Sequence, residues 1–420
     1  MCSIGEEDFG DEGGVHAMIP ETAKLTLDDS LQQQTCKRCN LEKCVLKLSH
    51  KKDPECGKCF MNYVRHKFKA ALGSTKIVKR DATVLLVADE APESVVMLDM
   101  IKNCIEQNIH QRLHVKIVGV LMIDEGFLGD NSDRNGPKSF YERYKYLGMP
   151  LFYTNLARNQ DSVKIIDENW QQLDDDSKEK SLKQKLSALK SLTSQQEYLH
   201  SLRVAALSSA ATELTAEFVF TPEISLDLAK LLLTNISLGR GASVALDVGF
   251  CDTRHVSFRI IRPMRDLTIE EIHHYLTLNG LSAASSTRFG LNKGPNASIQ
   301  NLTAQFVDGL QQQFCGTVST VFKTGERLKG KNAGNAEICK VCRSPLDFEN
   351  SETLFATEYS RLVSEFANQH ISEPEFIEEK AKEAVRGAEK SKKQNLCHSC
   401  RNIFMGVDDE NLGDFYESLS

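Results

Sequence analysis

The chain has 420 residues, of which 41% are hydrophobic and 26% charged, with a formal net charge of −7. This length exceeds one core, so two or three folded units are expected, and the composition excludes a largely disordered protein. No apolar run approaches the roughly 18 residues of a membrane span, and the acidic start is unlike a secretion or transit signal. A cytosolic or nuclear protein without a membrane partner is therefore expected.

The charge is distributed unevenly along the chain. Residues 1–35 hold eight acidic residues and one lysine, whereas residues 36–80 hold thirteen Lys/Arg and three acidic residues. The pattern predicts a disordered acidic tail at 1–35, followed by a basic module at 36–75 with a helix over 62–72. A basic block of this kind suits an RNA backbone, so the overall acidity does not exclude RNA.

Two C-x2-C pairs lie within the basic module, Cys36/Cys39 and Cys56/Cys59, with sixteen residues between them. Each C-x2-C turn can direct two thiolates at one metal, and two turns complete a closed tetrahedral zinc site. Redox cysteines and an iron–sulfur centre are the alternatives. Polar flanks and the tandem arrangement favour structural zinc.

Residues 76–157 predict the first part of an α/β domain. Strands and helices alternate, with strands over 82–88, 114–123 and 150–154 and helices over 92–108 and 139–147. This alternation favours a parallel sheet.

Residues 158–200 are a polar insertion that interrupts this alternation. Leu182, Leu186, Leu189 and Leu192 recur at helical spacing and predict one amphipathic helix. Packing within the chain is the favoured interpretation, and docking of a partner is the alternative.

Residues 201–334 resume the α/β pattern. Thr221 as N-cap and Pro222 at the first helical position predict a helix ending near Gly239. Thr268 and Glu271 form a capping box for a helix that stops at Gly280. The remaining predicted elements are strands over 217–220, 243–248 and 255–261 and a helix over 299–314.

Residues 335–420 hold the two other C-x2-C pairs, Cys339/Cys342 and Cys397/Cys400, with 54 residues between them. A helical insertion between two knuckles fits a second closed zinc site. His398, inside the last pair, is interpreted as a spacer rather than a ligand.

The other cysteines have a weaker claim to chemistry. Cys44 is interpreted as a spectator thiol near the first pairs, and Cys104 as a core residue on the apolar face of a helix. Cys251 and Cys315 have no partner at ligand spacing.

The loop after the first strand is where an α/β domain would bind a nucleotide, through backbone N–H groups and a helix N-terminus. Here it holds three carboxylates and no glycine, and reads Asp89, Glu90, Ala91, Pro92, Glu93 and Ser94. Carboxylates repel phosphate and Pro92 has no N–H. No ATP binding by this chain is therefore expected.

Taken in order, these motifs resemble the cytoplasmic tRNA 2-thiolation protein 2 family over residues 36–405. The resemblance rests on the four cysteine pairs, the strand 84–87 with its turn, and the segments 221–223, 238–241, 261–265 and 270–271. It implies a PP-loop ATP pyrophosphatase fold, that is, an α/β core with a parallel sheet flanked by N- and C-terminal four-cysteine zinc modules.

The chain departs from active PP-loop members at three places. Their Ser-Gly-Gly-x-Asp-Ser loop keeps only its final serine, as Ser94. The end of the third strand, 150–154, has no cysteine, and the segment 220–224 replaces a Gly-His-x-x-Asp-Asp motif. These departures imply a subunit that does not catalyse by itself.

The resemblance also implies a role and partners. The chain would be the accessory subunit of a cytoplasmic heterodimer that 2-thiolates the modified wobble uridine of the Lys, Glu and Gln tRNAs. A catalytic PP-loop paralogue would adenylate the uridine, and a thiocarboxylated ubiquitin-like carrier would supply sulfur.

The basic module offers candidate RNA contacts through phosphate recognition. Phe60, Tyr63 and Phe68 are candidates for stacking on unpaired bases. A solvated basic face, an independently active ATP-dependent enzyme and a zinc-bearing protein scaffold without RNA are the alternatives. The candidate basic residues are Arg38, Lys43, Lys47, Lys51, Lys52, Lys58, Arg65, Lys67 and Lys69.

Overall fold

The structure is a computed structural model, and most of the predicted acidic tail lies outside the residues that it describes. Of the segment between the distal cysteine pairs, it describes only residues 343–346, 360, 363–364, 379 and 395–396. The described residues are 33–106, 113–129, 136–158, 161–171, 176–241, 243–284, 288–328, 337–346, 360, 363–364, 379, 395–405, 407–408 and 410–419.

One mixed sheet organises the described residues. Its strands are β1 (Ala82–Val87), β2 (Val115–Asp124), β3 (Leu151–Asn155), β4 (Lys164–Ile165), β5 (Phe218–Phe220), β6 (Cys251–Asp252) and β7 (Arg259–Ile261). Their order is β4-β3-β2-β1-β5-β7-β6, and only the edge strands β4 and β6 pair antiparallel. The predicted α/β class with a parallel core is confirmed.

Burial explains why β1 lies at the centre. Val84, Leu85 and Leu86 are fully buried, so side chains on both faces of the strand are covered. Continuous apolar runs of this kind are typical of parallel sheets with helices on both sides.

Helices cover the sheet and extend beyond it. In chain order they are α1 (Gly57–Ser74), α2 (Pro92–Ile105), α3 (Gly136–Tyr144), α4 (Ser177–Ala188), α5 (Leu192–Glu213), α6 (Ser225–Ser237), α7 (Val244–Val248), α8 (Ile269–Asn279), α9 (Ile299–Gln313), α10 (Cys315–Arg327), α11 (His398–Ile403) and α12 (Leu412–Glu417). No helix among the described residues combines the length and apolarity that crossing a membrane requires.

Helix α8 begins and ends as predicted. Thr268 Oγ1 accepts the Glu271 N–H, and the Glu271 carboxylate accepts the Thr268 N–H at 3.0 Å. Gly280 ends the helix with a φ of 61°, a left-handed conformation that favours glycine.

The predicted strand over 243–248 is wrong, because these residues form the short helix α7. Val244 and Val248 stand four residues apart and are both fully buried, so they share one helical face. A short apolar run does not by itself distinguish a strand from a helical turn. The predicted strand over 255–261 is also shorter than expected, since only Arg259–Ile261 is extended in the sheet.

The predicted start of α6 is wrong. The Thr221 N–H donates to the Ile261 carbonyl at 3.0 Å, so Thr221 continues the pairing of β5 with β7 instead of capping a helix. The helix begins at Ser225, and the Asp227 carboxylate accepts the Ile224 N–H at 3.2 Å.

The insertion forms two helices instead of the single one predicted. Helix α4 ends at Ala188, and Ser191 then caps α5 by accepting the Ser194 N–H at 3.1 Å. Leu182 and Leu186 are buried in one apolar cluster with Phe404 from the C-terminal segment. The interpretation that this leucine face packs within the chain is confirmed.

Candidate metal centres and candidate RNA surface

The eight paired cysteines form two groups of four. Within each group the ligand sulfurs lie within 4.8 Å of one another. We name them the proximal cluster (Cys36, Cys39, Cys56, Cys59) and the distal cluster (Cys339, Cys342, Cys397, Cys400). The predicted grouping of the pairs is therefore observed.

The sulfur spacing in both clusters suits a single tetrahedral ion. Cys39 Sγ lies 3.8 Å from Cys56 Sγ, and Cys342 Sγ lies 3.7 Å from Cys397 Sγ. Zinc–sulfur bonds of about 2.3 Å in a tetrahedron place two sulfurs about 3.8 Å apart. Four thiolates leave no open position for a substrate, so each group has the donor set of a structural metal site.

Local backbone geometry forms the proximal cluster. In the first knuckle, Asn40 adopts a φ of 55° and its N–H donates to the Cys36 carbonyl at 2.8 Å. In the second knuckle, Cys56 caps α1 and its sulfur accepts the Cys59 N–H at 3.5 Å. Both turns are made within a few residues of the ligands that they orient.

Electrostatics in the proximal cluster divide the four thiols, because the pKa values of Cys36 and Cys39 are lowered and those of Cys56 and Cys59 are raised. Burial disfavours the Cys36 thiolate, yet hydrogen bonds from the backbone N–H groups of Cys56, Cys39 and Arg38 lower its pKa to about 6. Burial, together with hydrogen bonds to the neighbouring thiols, raises the pKa of Cys59 to about 12. A bound cation removes the repulsion that keeps the later thiols protonated.

The distal cluster also has short turns, and unlike the proximal cluster it belongs to a large apolar cluster. Arg343 has a φ of 57° and donates its N–H to the Cys339 carbonyl at 2.9 Å, while the Cys397 N–H donates to Cys339 Sγ at 3.3 Å. Cys339 and Cys400 are fully buried. Its apolar cluster has members on α4, α5 and the C-terminal segment and includes Leu186, Tyr198, Leu202, Leu396, Ile403, Phe404 and Phe415.

Three other residues behave as the sequence indicates. Cys44 is buried and its thiol donates to the Pro54 carbonyl at 3.5 Å, outside the ligand group. Cys104 is 1% exposed in the main core. His398 Nε2 lies 3.0 Å from Asn402 Nδ2, and the ring belongs to neither ligand set. Burial raises the pKa of Cys251, and the side chain of Cys315 lies outside the described residues.

The loop after β1 is closed by its own carboxylate. Asp89 Oδ1 accepts the Ala91 N–H at 3.0 Å and the Ser94 hydroxyl at 2.5 Å. Tyr144 donates to the Asp89 carbonyl at 2.6 Å, and Pro92 begins α2 without an N–H to offer. A fixed anion therefore takes the donors that a phosphate-binding loop would present to a nucleotide.

The other acids of this loop are also held in place. Glu90 accepts the Ser139 hydroxyl at 2.6 Å and lies 3.4 Å from Arg143 Nε. Burial and the nearby Asp227 carboxylate raise the pKa of Glu93 to about 7. A loop in which burial and neighbouring carboxylates already disfavour negative charge is poorly suited to a triphosphate.

The candidate RNA-contact residues divide by exposure. Five are exposed, namely Arg38, Lys43, Lys47, Lys52 and Lys58. Four are half-buried, namely Lys51, Arg65, Lys67 and Lys69. Within the exposed group, Arg38 pairs with Glu55 and Lys58 pairs with Glu42, so Lys43, Lys47 and Lys52 are the stronger candidates for phosphate contacts.

Two of the half-buried lysines support the fold. Lys67 Nζ lies 2.8 Å from the fully buried carboxylate of Glu271 on α8. Lys51 Nζ lies 3.0 Å from Glu55 and 3.3 Å above the centre of the Tyr63 ring. Lysines engaged in this way are less available to RNA than the exposed ones.

The proposed base stacking by Phe60 and Phe68 is wrong, because both side chains are fully buried in the core. They lie on the inner face of α1 at positions eight residues apart. The helical spacing 60, 64, 68, 72 marks this face as core, and that signal was available in the sequence. Tyr63, on the other side, is half-buried beneath Lys51.

Sequence reasoning missed two acids on α8 that contact the basic module, residues 36–75. Glu270 accepts the Ser49 N–H at 2.9 Å and the Ser49 hydroxyl at 2.7 Å. Glu271 caps its own helix and pairs with Lys67. The capping box marked Glu271 as a helix-start residue, but the contacts across 204 and 221 residues of sequence left no local signal.

Comparison with known proteins assigns the family. The family model described as cytoplasmic tRNA 2-thiolation protein 2 matches residues 298–402. Proteins of that name from Aedes aegypti, Anopheles gambiae and Drosophila melanogaster are 41%, 39% and 39% identical, over 97%, 96% and 98% of this chain and 99–100% of theirs. The chain belongs to the cytoplasmic tRNA 2-thiolation protein 2 family.

A solved structure supports the fold of this family member. The chain is similar to the U34-tRNA thiolase NcsA from Methanococcus maripaludis, solved with its 4Fe-4S cluster, with a TM-score of 0.53. The match covers 74% of this chain and 96% of the thiolase at 16% identity. At this identity the likeness shows the fold alone, and it confirms the predicted PP-loop architecture.

Proposed function

We propose that this chain is the accessory, tRNA-binding subunit of a cytoplasmic tRNA 2-thiolase. It acts with a catalytic PP-loop paralogue on the modified wobble uridine, position 34, of the Lys, Glu and Gln tRNAs. Sulfur reaches the paralogue from a thiocarboxylated ubiquitin-like carrier. The family name and the thiolase fold support the reaction, and the self-closed loop after β1 supports the accessory role.

The loop geometry carries this proposal. An ATP-activating subunit presents N–H donors to phosphate at this position, whereas here Asp89 takes the Ala91 N–H and the Ser94 hydroxyl. Opening the loop would expose carboxylates to a polyanion. Nucleotide chemistry is therefore assigned to the paralogue, and this chain supplies binding and structure.

The exposed basic residues of the basic module supply the RNA contact. Lys43, Lys47 and Lys52 are exposed on the segment between the two C-x2-C turns of the proximal cluster. Phosphate contacts of this kind give affinity and register without sequence specificity. The choice of tRNA then depends on the complete complex.

Zinc is the metal that we assign to both clusters. Four sulfurs within 4.8 Å surround one ion. A four-iron cluster binds its four cysteines through four separate irons and so requires a wider arrangement. The closed thiolate set gives zinc a folding role and no catalytic one.

Reconstitution with a thiolation readout tests the proposal. The purified chain, the paralogue, and both together are incubated with tRNA, ATP and a sulfur donor, and thiolated tRNA is resolved by its retardation in mercury-containing gels. We expect product only when both are present. Product from this chain alone would overturn the accessory role.

A charge-reversal experiment tests the RNA surface separately. Lys43, Lys47 and Lys52 are each replaced by Glu in one variant, and affinity for tRNA is measured against salt concentration. We expect weaker binding and a salt slope reduced by up to about 3. The matched control reverses the exposed Lys138, Lys180 and Lys190, and equal losses in both variants would contradict the assigned surface.

A further inference from the structure

A buried polar network lies beside the distal cluster and is contributed by α5, α6, α7 and the β6–β7 connection. Five of its members are buried, and Arg254 is half-buried with a side chain that is 13% exposed. Its members are Glu197, Asn235, Arg240, Asp247, Asp252 and Arg254. Burying charged groups costs folding free energy unless they are paired, so the presence of this network requires an explanation.

One end of the network receives the second knuckle. Gly239 has a φ of 83°, and a Cβ placed there would lie 2.8 Å from His398 Cδ2. Next to it, Arg240 Nη2 lies 3.8 Å from Cys400 Sγ as a donor to the sulfur. The turn after α6 is therefore shaped to accept the Cys397–Cys400 knuckle at close range.

The other end of the network receives the first knuckle. Arg254 Nη1 donates to the Cys342 carbonyl at 3.5 Å and to Ser344 Oγ at 3.2 Å. Its Nη2 lies 2.6 Å from Asp247 and 2.5 Å from Asp252, which hold the guanidinium. Each knuckle thus has its own arginine from the α/β body.

The two arginines are connected through buried side chains. Arg240 Nη1 donates to Asn235 Oδ1 at 3.3 Å, and Asn235 Nδ2 donates to Asp247 Oδ2 at 2.8 Å. Asp247 pairs with Arg254, and Arg240 Nη1 lies 2.6 Å from Glu197 on α5. The relative position of the two arginines is therefore determined by a continuous chain of contacts.

We propose that this network is a template for the distal metal centre: Arg240 and Arg254 hold the two knuckles at ligand spacing and offset their negative charge. A zinc ion with four thiolates carries a net charge of about −2. A donor to Cys400 Sγ lowers the charge on that ligand, and Arg254 orients the turn that carries Cys342. Outer-shell partners of metal ligands commonly contribute 10- to 100-fold in metal affinity.

The test measures zinc affinity at each site of the full-length protein. A Cys56→Ser/Cys59→Ser background leaves the distal site alone, and a Cys397→Ser/Cys400→Ser background leaves the proximal site alone. Zinc transfer to a chromophoric chelator is followed in each background for Arg240→Gln and Arg254→Gln. We expect affinity at the distal site to fall about 10- to 100-fold and affinity at the proximal site to stay within twofold.

Arg262→Gln is the matched control. Arg262 is another buried arginine, and its Nη1 donates to the Gly249 carbonyl at 2.9 Å and not to a knuckle. Unchanged distal affinity in Arg240→Gln and Arg254→Gln would overturn the template. Equal losses at both sites, or the same loss in Arg262→Gln, would reduce it to a general folding effect and also overturn it.

If the Gln variants are insoluble, Arg240→Lys and Arg254→Lys keep the charge but not the forked donor geometry. Their distal affinity should still fall at least fivefold, and an unchanged value would overturn the template.

Discussion

The proximal and distal clusters have the same ligand pattern but are supported differently. The proximal knuckles are separated by sixteen residues and are oriented by turns close to their own cysteines, such as those at Asn40 and Cys56. The distal knuckles are separated by 54 residues and contact Arg240 and Arg254 of the α/β body. A ligand motif therefore indicates what is bound, and its surroundings determine what the metal stabilises.

Chain entropy does not account for this difference. Lengthening the intervening loop from sixteen to 54 residues costs only about 1 kcal/mol by the logarithmic dependence of loop closure. Orientation of the knuckles is the greater problem, because a long connection leaves their relative direction undetermined. The arginine network supplies that direction for the distal cluster.

Removal of ligands should have the largest effect. We expect Cys56→Ser/Cys59→Ser and Cys397→Ser/Cys400→Ser each to lose one of two bound metal ions, as measured by elemental analysis, and to become less soluble. The distal variant should also lower the melting temperature of the α/β body, since Cys400 belongs to the same apolar cluster as Tyr198 and Leu202 of α5. Two retained ions in either variant would contradict that ligand assignment.

Core truncations beside each cluster should have the next largest effect. Phe404 and Phe60 are both fully buried, and each packs edge-on against an aromatic ring, that of Tyr198 or His274. Phe404→Ala and Phe60→Ala should each cost about 3–5 kcal/mol in denaturant unfolding. Faster zinc release should be confined to the distal site in Phe404→Ala and to the proximal site in Phe60→Ala. Faster zinc release from both sites in one variant would contradict the inference that different parts of the molecule stabilise the two clusters.

Loss of the ion pair between α1 and α8 should have an intermediate effect. Lys67→Met leaves the buried Glu271 carboxylate without its cation, and we expect a loss of about 2 kcal/mol. The value lies below that for a fully buried pair because the Lys67 side chain is 21% exposed. The exposed Lys52→Met is the matched control and should weaken tRNA binding without a measurable change in unfolding. If Lys52→Met destabilised the fold and Lys67→Met did not, the assignment of Lys67 to the fold and of Lys52 to RNA binding would be contradicted.

The smallest effect should come from the loop after β1, which belongs to neither cluster. The pKa of Glu93 is raised from 4.5 to about 7, so the native state binds this proton more tightly than the unfolded chain. Its contribution to stability is therefore lost as pH rises from about 4.5 to 7. Glu93→Gln should be more stable than the parent by on the order of 1 kcal/mol at pH 8, with little difference near pH 4.5. Equal melting-temperature differences at both pH values would show that this carboxyl does not titrate as described, and zinc content serves as the control.

The sequence by itself determined the features that depend on neighbouring residues. The C-x2-C pairs, the apolar strands around Val84 and Val120, the capping box at Thr268 and the acidic loop at Asp89 are all local patterns. Each one specifies its own turn, strand or cap through short-range sterics and hydrogen bonds. The α/β class and the grouping of the cysteines followed from them.

Tertiary structure decided whatever depends on contacts between distant segments. It made 243–248 a helix, because Val244 and Val248 face one apolar cluster. It also paired Lys67 with Glu271 and placed Arg240 and Arg254 beside the distal cysteines. These outcomes arise from packing and charge pairing across long sequence separations, which leave no periodicity or spacing for a sequence to display.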